Sequence, residues 1–327
     1  MSYVLRRLFF YLIAAWASIT FNFFLPRMMP GDPGDVLLAK LRGQGDIRPE
    51  TIEAMMKAYG VSNDPLILQY VDYLKNLFRG ELGVSTSWFP APVTQVIGTG
   101  FVWTILLMGT ALLLSFGVGS LLGVIGAWRR GSWMDNITPP VFVFLGSLPY
   151  FWIAPLILFA FAFHLQIFPP RHAYDTDLSP AFSWAFISSV ITHMVLPVLS
   201  ILIVSIGGWL LGMRNTMIMV LSEDYVTMAE AKGLPTRRVM FRYGARNALL
   251  PVLTSFGMSL GFILSGSLFT EMIFAYPGLG YLLINSVRNL DYPLMQGLFL
   301  MITLAVLLAN LVVDLLYARL DPRIRAA

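Results

Sequence analysis

The chain of 327 residues is strongly apolar: 57% of its residues are hydrophobic, 12% are charged, and its mean hydropathy is +0.71. This composition excludes a soluble globular protein and indicates a membrane protein. The formal net charge of +4 comes from basic residues spread over several predicted loops, so it reflects topology and implies no nucleic-acid partner. Cysteine is absent, which excludes disulfides, thiolate metal sites and cysteine nucleophiles.

Six stretches of the sequence are apolar and long enough to cross a bilayer as helices, which takes about 20 residues. They cover residues 8–25, 100–128, 137–165, 187–213, 249–273 and 294–317. A β-barrel would instead show segments of about ten residues that alternate apolar and polar, and runs such as 104–118 do not alternate. The sequence therefore predicts an all-α membrane protein with six transmembrane helices.

Basic residues next to the spans predict the orientation, because cytoplasmic loops are enriched in Lys and Arg. Arg6 and Arg7 precede the first span, which has no small-residue cleavage site after it and is predicted to be a retained anchor over residues 1–29. Two arginines follow the second span, and further arginines follow the last span up to the tail, residues 321–327. We therefore expect a multi-pass protein of the cytoplasmic (inner) membrane with both termini in the cytoplasm.

Between the first two spans lies a predicted extracytoplasmic subdomain, residues 30–99, which is rich in turn-forming residues. Residues 64–77 within it carry apolar side chains at helical spacing, which predicts an amphipathic helix at the membrane surface. Two interpretations of this helix stay open: it covers the helical bundle, or it contacts substrate.

Proline and glycine mark the predicted five-helix core, residues 100–320. Pro139, Pro140, Pro149 and Pro155 fall in the third span, where each removes a backbone donor and favours a kink. In a bilayer such breaks are buried in protein or line a cavity, so the kinks indicate either a transport path or a purely structural bend. Close helix packing is predicted at glycines 117, 119, 123, 126, 257, 261 and 266.

The central parts of the predicted spans carry no Asp, Glu, Lys or Arg, the groups that proton- and sodium-driven transporters usually place there. His164 and His193 lie near predicted span ends, where a histidine is more often an interfacial hydrogen bonder than a proton relay. None of the four lysines follows a glycine, so the chain has no phosphate-binding Gly-Lys-Ser/Thr loop. The H-E-x-x-H and G-x-S-x-G motifs are also missing, and we expect no catalysis, cofactor or metal in this chain alone.

The most distinctive segment is polar, covers residues 222–251 and lies between two apolar spans. Six of the twenty-two Lys and Arg residues fall between Arg214 and Arg246, which predicts a cytoplasmic location. The Gly-Leu-Pro sequence at 233–235 divides the segment into two short helices, because glycine takes positive φ and proline does not continue a helix. Thr236 is the predicted N-cap of the second helix.

In that second helix, Arg238, Arg242 and Arg246 recur every four residues and form a basic stripe. Val239 and Tyr243 form an apolar stripe beside it. A helix with both stripes fits a groove on another protein, whereas the alternative is an interfacial helix whose arginines bind anionic lipid headgroups. The bent hairpin favours docking, because lipid binding needs no bend.

The segment contains the motifs Asp224-Tyr225-Val226, Ala229, Ala231-Lys232-Gly233-Leu234, Arg237-Arg238-Val239 and Arg246-Asn247-Ala248-Leu249-Leu250-Pro251. These motifs resemble the EAA loop of ABC importer permeases. The first membrane subunit of the dipeptide/oligopeptide branch is similar in further motifs of the same order and spacing: Met29-Pro30-Gly31-Asp32-Pro33, Gln69-Tyr70 with Gly80-Glu81-Leu82-Gly83, Tyr276-Pro277-Gly278-Leu279-Gly280, Asp291-Tyr292-Pro293 and Asp321-Pro322-Arg323. The resemblance covers almost the whole chain. One departure is that the glutamate of the general pattern falls at Thr227, with Glu230 one turn later.

The resemblance implies that the following residues couple the chain to an ATPase: Ala229, Glu230, Lys232, Gly233, Leu234, Arg238, Arg242, Arg246 and Pro251. It also implies an importer with a homologous second permease subunit, two cytoplasmic ATPase subunits that hold ATP and Mg²⁺, and an extracytoplasmic substrate-binding protein. Residues 30–99 and 271–293 are expected to meet the binding protein, while 222–251 transmits ATP-driven motion to the helices. Membrane lipid is the remaining partner, and no substrate path is assigned.

The implied cargo is a dipeptide or oligopeptide. Within the same branch the alternatives are an oligosaccharide of the cello-oligosaccharide type and nickel. Trp103, Trp152 and Trp209 could stack on sugar, but as interfacial anchors they need no ligand. From other classes, an intramembrane enzyme lacks a nucleophile or metal motif, and a structural membrane scaffold has no need of the bent basic hairpin.

Overall fold

The computed structural model describes residues 3–28, 64–263 and 268–320, and most of these residues are helical. In chain order the α-helices and two π-helical segments are α1 (Tyr3–Arg27), α2 (Leu66–Phe78), α3 (Val93–Trp128), α4 (Trp133–Ser147), α5 (Tyr150–Ile157), π1 (Leu158–His164), α6 (Trp184–Leu221), α7 (Asp224–Ala231), α8 (Thr236–Arg238), π2 (Val239–Ala245), α9 (Arg246–Phe262), α10 (Leu268–Ile273), α11 (Leu279–Arg288) and α12 (Tyr292–Leu320). The all-α class is confirmed for the described residues, and the helix predicted over 64–77 is present as α2. Residues 30–63 of the predicted subdomain and the tail 321–327 lie outside the described residues.

Among the described residues, four helices are long and apolar enough to span a membrane: α1 over Leu5–Leu25, α3, α6, and α12 over Tyr292–Val312. A fifth span results when α4 and the stretch Phe151–His164 are counted together, although they meet at an angle of 102°. The predicted span 249–273 includes α9 and α10 but crosses residues 264–267, which are not described. The described residues thus contain four candidate spans, or five with the bent pair, and the count of six stays a prediction.

Pro149 stands at the bend between α4 and α5. Leu148 before it is extended, with a ψ of 137°, which is the conformation that a residue preceding proline prefers. Pro139 and Pro140 lie inside α4, and Pro155 lies inside α5. The predicted interruption of this span is confirmed, and the sharp bend occurs at one of its four prolines.

The chain forms two compact units, and the first contains α1, α2, the beginning of α3 up to Thr104, α11 and α12. Its buried cluster joins α3, α11 and α12 through residues such as Val93, Ile97, Leu282 and Leu298. Burial of these apolar side chains stabilises the unit.

One buried and one half-buried carboxylate, Asp291 and Asp314, tie the elements of the first unit together. Asp291 is fully buried, and its Oδ2 accepts hydrogen bonds from Ser85 Oγ at 2.5 Å and from the Ser87 backbone N–H at 2.9 Å. Between α1 and α12, Asp314 of α12 accepts a hydrogen bond from Tyr11 Oη of α1 at 2.7 Å and forms a salt bridge with Arg7 of α1 at 2.9 Å. Each carboxylate has partners on a distant segment, as an acid withdrawn from water requires.

The second unit contains the remainder of α3, the helices α4 to α9 with π1 and π2, and most of α10. Gly119 and Gly123 of α3 contact α6 closely, since a Cβ on Gly123 would lie 2.6 Å from Leu210 O. The predicted close packing is confirmed at these two glycines. It is wrong at Gly117 and Gly257, where an added Cβ would meet no atom within 4 Å. Residue 266 lies outside the described residues.

Candidate functional site

Residues 222–251, the polar segment of the sequence, follow directly on α6 and are called the hairpin below. Its first arm is α7, a helix of eight residues. The second arm starts at Thr236 and continues through α8, π2 and α9 without an intervening residue. The prediction of two short helices is correct for the first arm and wrong for the second, because the second helix continues through Pro251 to Phe262.

The turn between the two arms is closed by backbone hydrogen bonds in the Schellman pattern. Leu234 N–H donates to Ala229 O at 3.3 Å, and Gly233 N–H donates to Glu230 O at 2.8 Å. Gly233 has a φ of 69°, so the predicted positive φ is confirmed. Thr236 is not the N-cap that was predicted, since Pro235 occupies that position and no side chain caps the helix.

The inner face of the hairpin is a small apolar cluster. Val226 and Ala229 of α7 and Val239 of π2 are 2%, 3% and 1% exposed, and Leu234 and Tyr243 pack against them. This corrects the predicted apolar stripe: Val239 faces the hairpin's own first arm and is not available to a partner. The first arm needs this contact because an isolated helix of eight residues is not stable in water.

The outer face of the hairpin is charged. Arg238, Arg242 and Arg246, called the basic surface below, are all exposed as predicted. No salt bridge found within the described part of the chain involves these guanidinium groups. Exposed apolar side chains lie on both arms as well, with Met228 59% and Phe241 46% exposed. Tyr225 at 39% and Leu250 at 63% are exposed as well, whereas Val239 is buried.

The remaining predicted coupling residues are divided between the two faces. Glu230, Lys232 and Gly233 are exposed, as is Thr227 at the position of the pattern's glutamate. Ala229 and Leu234 belong to the inner face. Pro251 lies apart from both faces, inside α9.

Asn247 joins the two arms by hydrogen bonds and was not among the predicted site residues. Its Nδ2 donates to Tyr225 Oη of α7 at 2.9 Å and to Tyr243 O of π2 at 2.9 Å. Tyr225 and Asn247 are 22 residues apart, so no local pattern predicts their contact. The only sequence signal for this contact was that both residues belong to the motifs that resemble the EAA loop.

The second arm packs firmly against α6. Met213 and Met217 of α6 form a buried cluster with Ala245, Ala248 and Val252. Gly244 permits the close approach, because a Cβ there would lie 2.5 Å from Met217 Cε. A displacement of the hairpin would therefore be transmitted to α6 by direct contact, since packed interiors transmit strain.

One turn of α6 beside this cluster carries a buried ion pair. Arg214 Nε donates to Asp135 Oδ1 at 2.5 Å, and Arg214 Nη2 donates to Asp135 Oδ2 at 2.9 Å. The Asp135 side chain is 3% exposed and also accepts from Gly131 N–H at 2.9 Å. Both residues fall just outside the predicted spans, because α4 and α6 extend beyond the predicted limits. The pair joins the start of α4 to α6.

A cavity of about 400 Å³ lies between α6 and α9. Its lining includes Ser205, Gly208, Trp209, Thr216 and Pro251. Pro251, a predicted coupling residue, is thus found beside this cavity. Within the described residues no group of three His, Cys, Asp or Glu side chains could hold a metal ion.

The profile of the family described as binding-protein-dependent transport system inner membrane component matches residues 119–326. The chain belongs to this family. The match includes α6, the hairpin and α9. The contact between α6 and the second arm of the hairpin therefore lies within the residues of this permease that match the family. The family and the apolar helices together make the chain a multi-pass protein of the inner membrane.

Three curated relatives are similar to this permease over nearly the whole chain. The di/tripeptide transport system permease protein DppB of Pseudomonas aeruginosa (strain UCBPP-PA14) is 33% identical. The oligopeptide transport system permease protein AppB of Bacillus subtilis (strain 168) and the dipeptide transport system permease protein DppB of Escherichia coli (strain K12) are each 32% identical. In all three comparisons 99% of this chain and 99% of the relative are covered. The resemblance to the dipeptide/oligopeptide branch is thereby confirmed.

Proposed function

We propose that this permease is one of two homologous membrane subunits of an ATP-driven importer whose cargo is peptide. The observation that carries the cargo is the similarity, over 99% of both chains, to permeases named for dipeptide, di/tripeptide and oligopeptide transport. Oligosaccharide and nickel, the alternatives within the branch, have no such support from these three relatives.

The hairpin is the proposed docking site of a cytoplasmic ATPase subunit. Three observations support this: the basic surface is exposed and without salt bridges among the described residues, Met228 and Phe241 offer apolar contact, and the turn is closed by hydrogen bonds. The ATPase subunits supply the ATP and Mg²⁺ sites, and this permease holds no cofactor of its own. Closure of the ATPases then displaces the hairpin and, through Met213 and Met217, α6.

The orientation follows from the same proposal. The hairpin and both termini lie in the cytoplasm, and residues 30–99 and 271–293 face an extracytoplasmic binding protein. Support comes from the concentration of Lys and Arg between residues 214 and 246. An accessibility assay with an impermeant reagent tests this arrangement, because single cysteines can be introduced into a chain that has none.

The function is tested by reconstituting the permease in vesicles with the second permease, the ATPases and the binding protein from neighbouring genes. We expect ATP-dependent uptake of labelled dipeptide or longer peptide, and no uptake when the Walker A lysine of the ATPases is replaced by alanine. Competition with cello-oligosaccharide and with Ni²⁺ identifies the cargo class. Uptake that either competitor abolishes and that peptides leave unchanged would overturn the peptide assignment.

A further inference from the structure

Side chains of α2 contact the last turns of the membrane span α1. The hydroxyl oxygens of Tyr70 and Thr20 are 2.8 Å apart. The ring of Tyr70 lies 6.4 Å from Trp16, 5.1 Å from Phe23 and 6.4 Å from Phe24 between centroids. All four α1 residues belong to the apolar stretch Leu5–Leu25. Therefore α2 is placed beside the span itself and not beyond its end.

A second set of contacts marks the end of the span. Arg27 Nη2 donates to Gln69 Oε1 at 3.2 Å, and its guanidinium carbon lies 3.7 Å from the centroid of the Phe23 ring. Burial lowers the pKa of Arg27 and raises the pKa of Tyr73 to about 12, so both groups are partly withdrawn from water. Arginine and tyrosine are typical of the boundary between hydrocarbon and headgroups.

The depth of α2 follows from these contacts. Thr20 lies five residues before Leu25, which corresponds to about 8 Å along α1 at a rise of about 1.5 Å per residue. Helices that lie in a membrane plane bury their apolar face by about 5–10 Å. The position of Tyr70 against Thr20 thus matches the depth of an in-plane helix.

The face of α2 turned away from α1 has two sides of different chemistry. Ile67, Val71, Leu74 and Phe78 follow one another at spacings of four, three and four, so they share one side of the helix. Ile67 is 78%, Val71 39% and Phe78 84% exposed. The neighbouring side carries Asp72, Lys75 and Arg79 together with Leu68, which is 53% exposed. Asp72 and Lys75 form a salt bridge at 3.1 Å.

We propose that α2 lies in the plane of the membrane, with Ile67, Val71 and Phe78 in contact with lipid acyl chains and with Asp72 and Lys75 facing water. Over the same turns α1 also exposes apolar side chains, including Phe21 at 71% and Leu25 at 45%. The lipid that covers this part of α1 continues onto α2. This proposal concerns the position of α2 in the membrane and is independent of the proposed transport function and of its cargo.

The test uses the absence of cysteine from the chain. Ile67→Cys, Val71→Cys and Phe78→Cys are made singly, labelled with a nitroxide, and placed in vesicles of phosphatidylethanolamine and phosphatidylglycerol as part of the assembled transporter. Asp72→Cys and Lys75→Cys are the matched controls from the same turns. Collision rates with oxygen, which concentrates in hydrocarbon, and with a water-soluble nickel chelate are measured by electron paramagnetic resonance.

At 67, 71 and 78 we expect oxygen collisions to exceed nickel collisions several-fold, and the order to reverse at 72 and 75. High nickel accessibility at all five positions would place α2 in water and overturn the proposal. Low accessibility to both reagents at 67, 71 and 78 would overturn it as well, because another protein surface would then cover them. A lipid-dissolved diazirine photolabel on the unsubstituted protein gives an independent result: peptides spanning 66–78 must be labelled, and their absence among labelled peptides counts against lipid contact.

Discussion

At the scale of single residues, Gly233 sets the shape of the hairpin. Its φ of 69° lies in the left-handed region, and a Cβ built on it would meet no atom within 4 Å. A side chain at this position is therefore opposed by backbone conformation and not by a collision. If backbone conformation is the cause, asparagine should be accepted at this position, because asparagine tolerates the left-handed region. If collision were the cause, asparagine would be rejected like valine.

Gly233→Val is expected to cost about 1–3 kcal/mol of local strain and to reduce uptake while membrane insertion stays intact. Gly233→Asn is the control and should stay close to the wild type. Peptide uptake and co-purification of the ATPases are measured for both variants. Normal uptake and normal ATPase association in the valine variant would remove any special role of glycine here.

The pair Asp135 and Arg214 is the second residue-scale feature with a measurable consequence. Removing one partner of a buried ion pair leaves an uncompensated charge, so Asp135→Asn and Arg214→Gln should each destabilise the protein by about 3 kcal/mol. The double variant should lose less than the sum of the single losses, because no unpaired charge remains. Thermal unfolding of the purified protein in detergent measures all three. Single variants as stable as the wild type would show that the pair contributes nothing.

At the scale of elements, the hairpin presents the basic surface to solvent while its apolar cluster faces inward. Reversal of Arg238, Arg242 and Arg246 to Glu should release the ATPase subunits, because an acidic groove would then repel the hairpin. The matched control replaces Arg129 and Arg130, two exposed arginines at the start of another loop, with Glu. Because this control changes two charges, it is compared with the double replacement of Arg238 and Arg242 by Glu.

Co-purification at several salt concentrations reports the outcome of these charge reversals. Undiminished recovery of both ATPases with the triple variant refutes electrostatic docking through this surface. If the arginines serve lipid headgroups instead, the complex stays assembled in detergent and only its lipid dependence changes. Of the predicted apolar stripe, Val239 is 1% exposed and is not available to a partner, whereas Tyr243 is half-buried.

The contact of α3 with α6 is a second feature at the element scale. A Cβ at Gly123 would lie 2.6 Å from Leu210 O and 2.9 Å from Arg214 N, which are backbone atoms that cannot rotate away. Gly123→Ala should therefore destabilise the protein by about 1–3 kcal/mol. Gly117→Ala on the same helix is the matched control; open space surrounds it, so it should be neutral or stabilising by up to about 1 kcal/mol. Equal unfolding temperatures for both variants would contradict the close packing.

At the scale of the whole molecule, the chain is an inner-membrane permease, and we propose that it depends on partner subunits for energy. Because no glycine precedes a lysine, it has no phosphate-binding loop, and the purified chain should hydrolyse no ATP. Hydrolysis is measured before and after addition of the ATPase subunits. Activity that scales with this chain after removal of every co-purifying ATPase would contradict the prediction.

The sequence by itself determined the properties that depend on composition and local backbone sterics. The apolar stretches predicted α1, α3, α6 and α12, and glycine before a Leu-Pro pair predicted the positive φ of Gly233. The exposure of Arg238, Arg242 and Arg246 followed from charge alone, because an unpaired cation is costly to bury.

Only the tertiary structure decided which side chains meet across long sequence separations. Asp135 and Arg214 are 79 residues apart, and Tyr225 and Asn247 are 22 apart, so neither pair is encoded in a local period. Val239 was assigned to an outer stripe because helical spacing reports which residues share a side and not what that side faces. Its burial depends on the turn at Gly233, which folds α7 back onto π2.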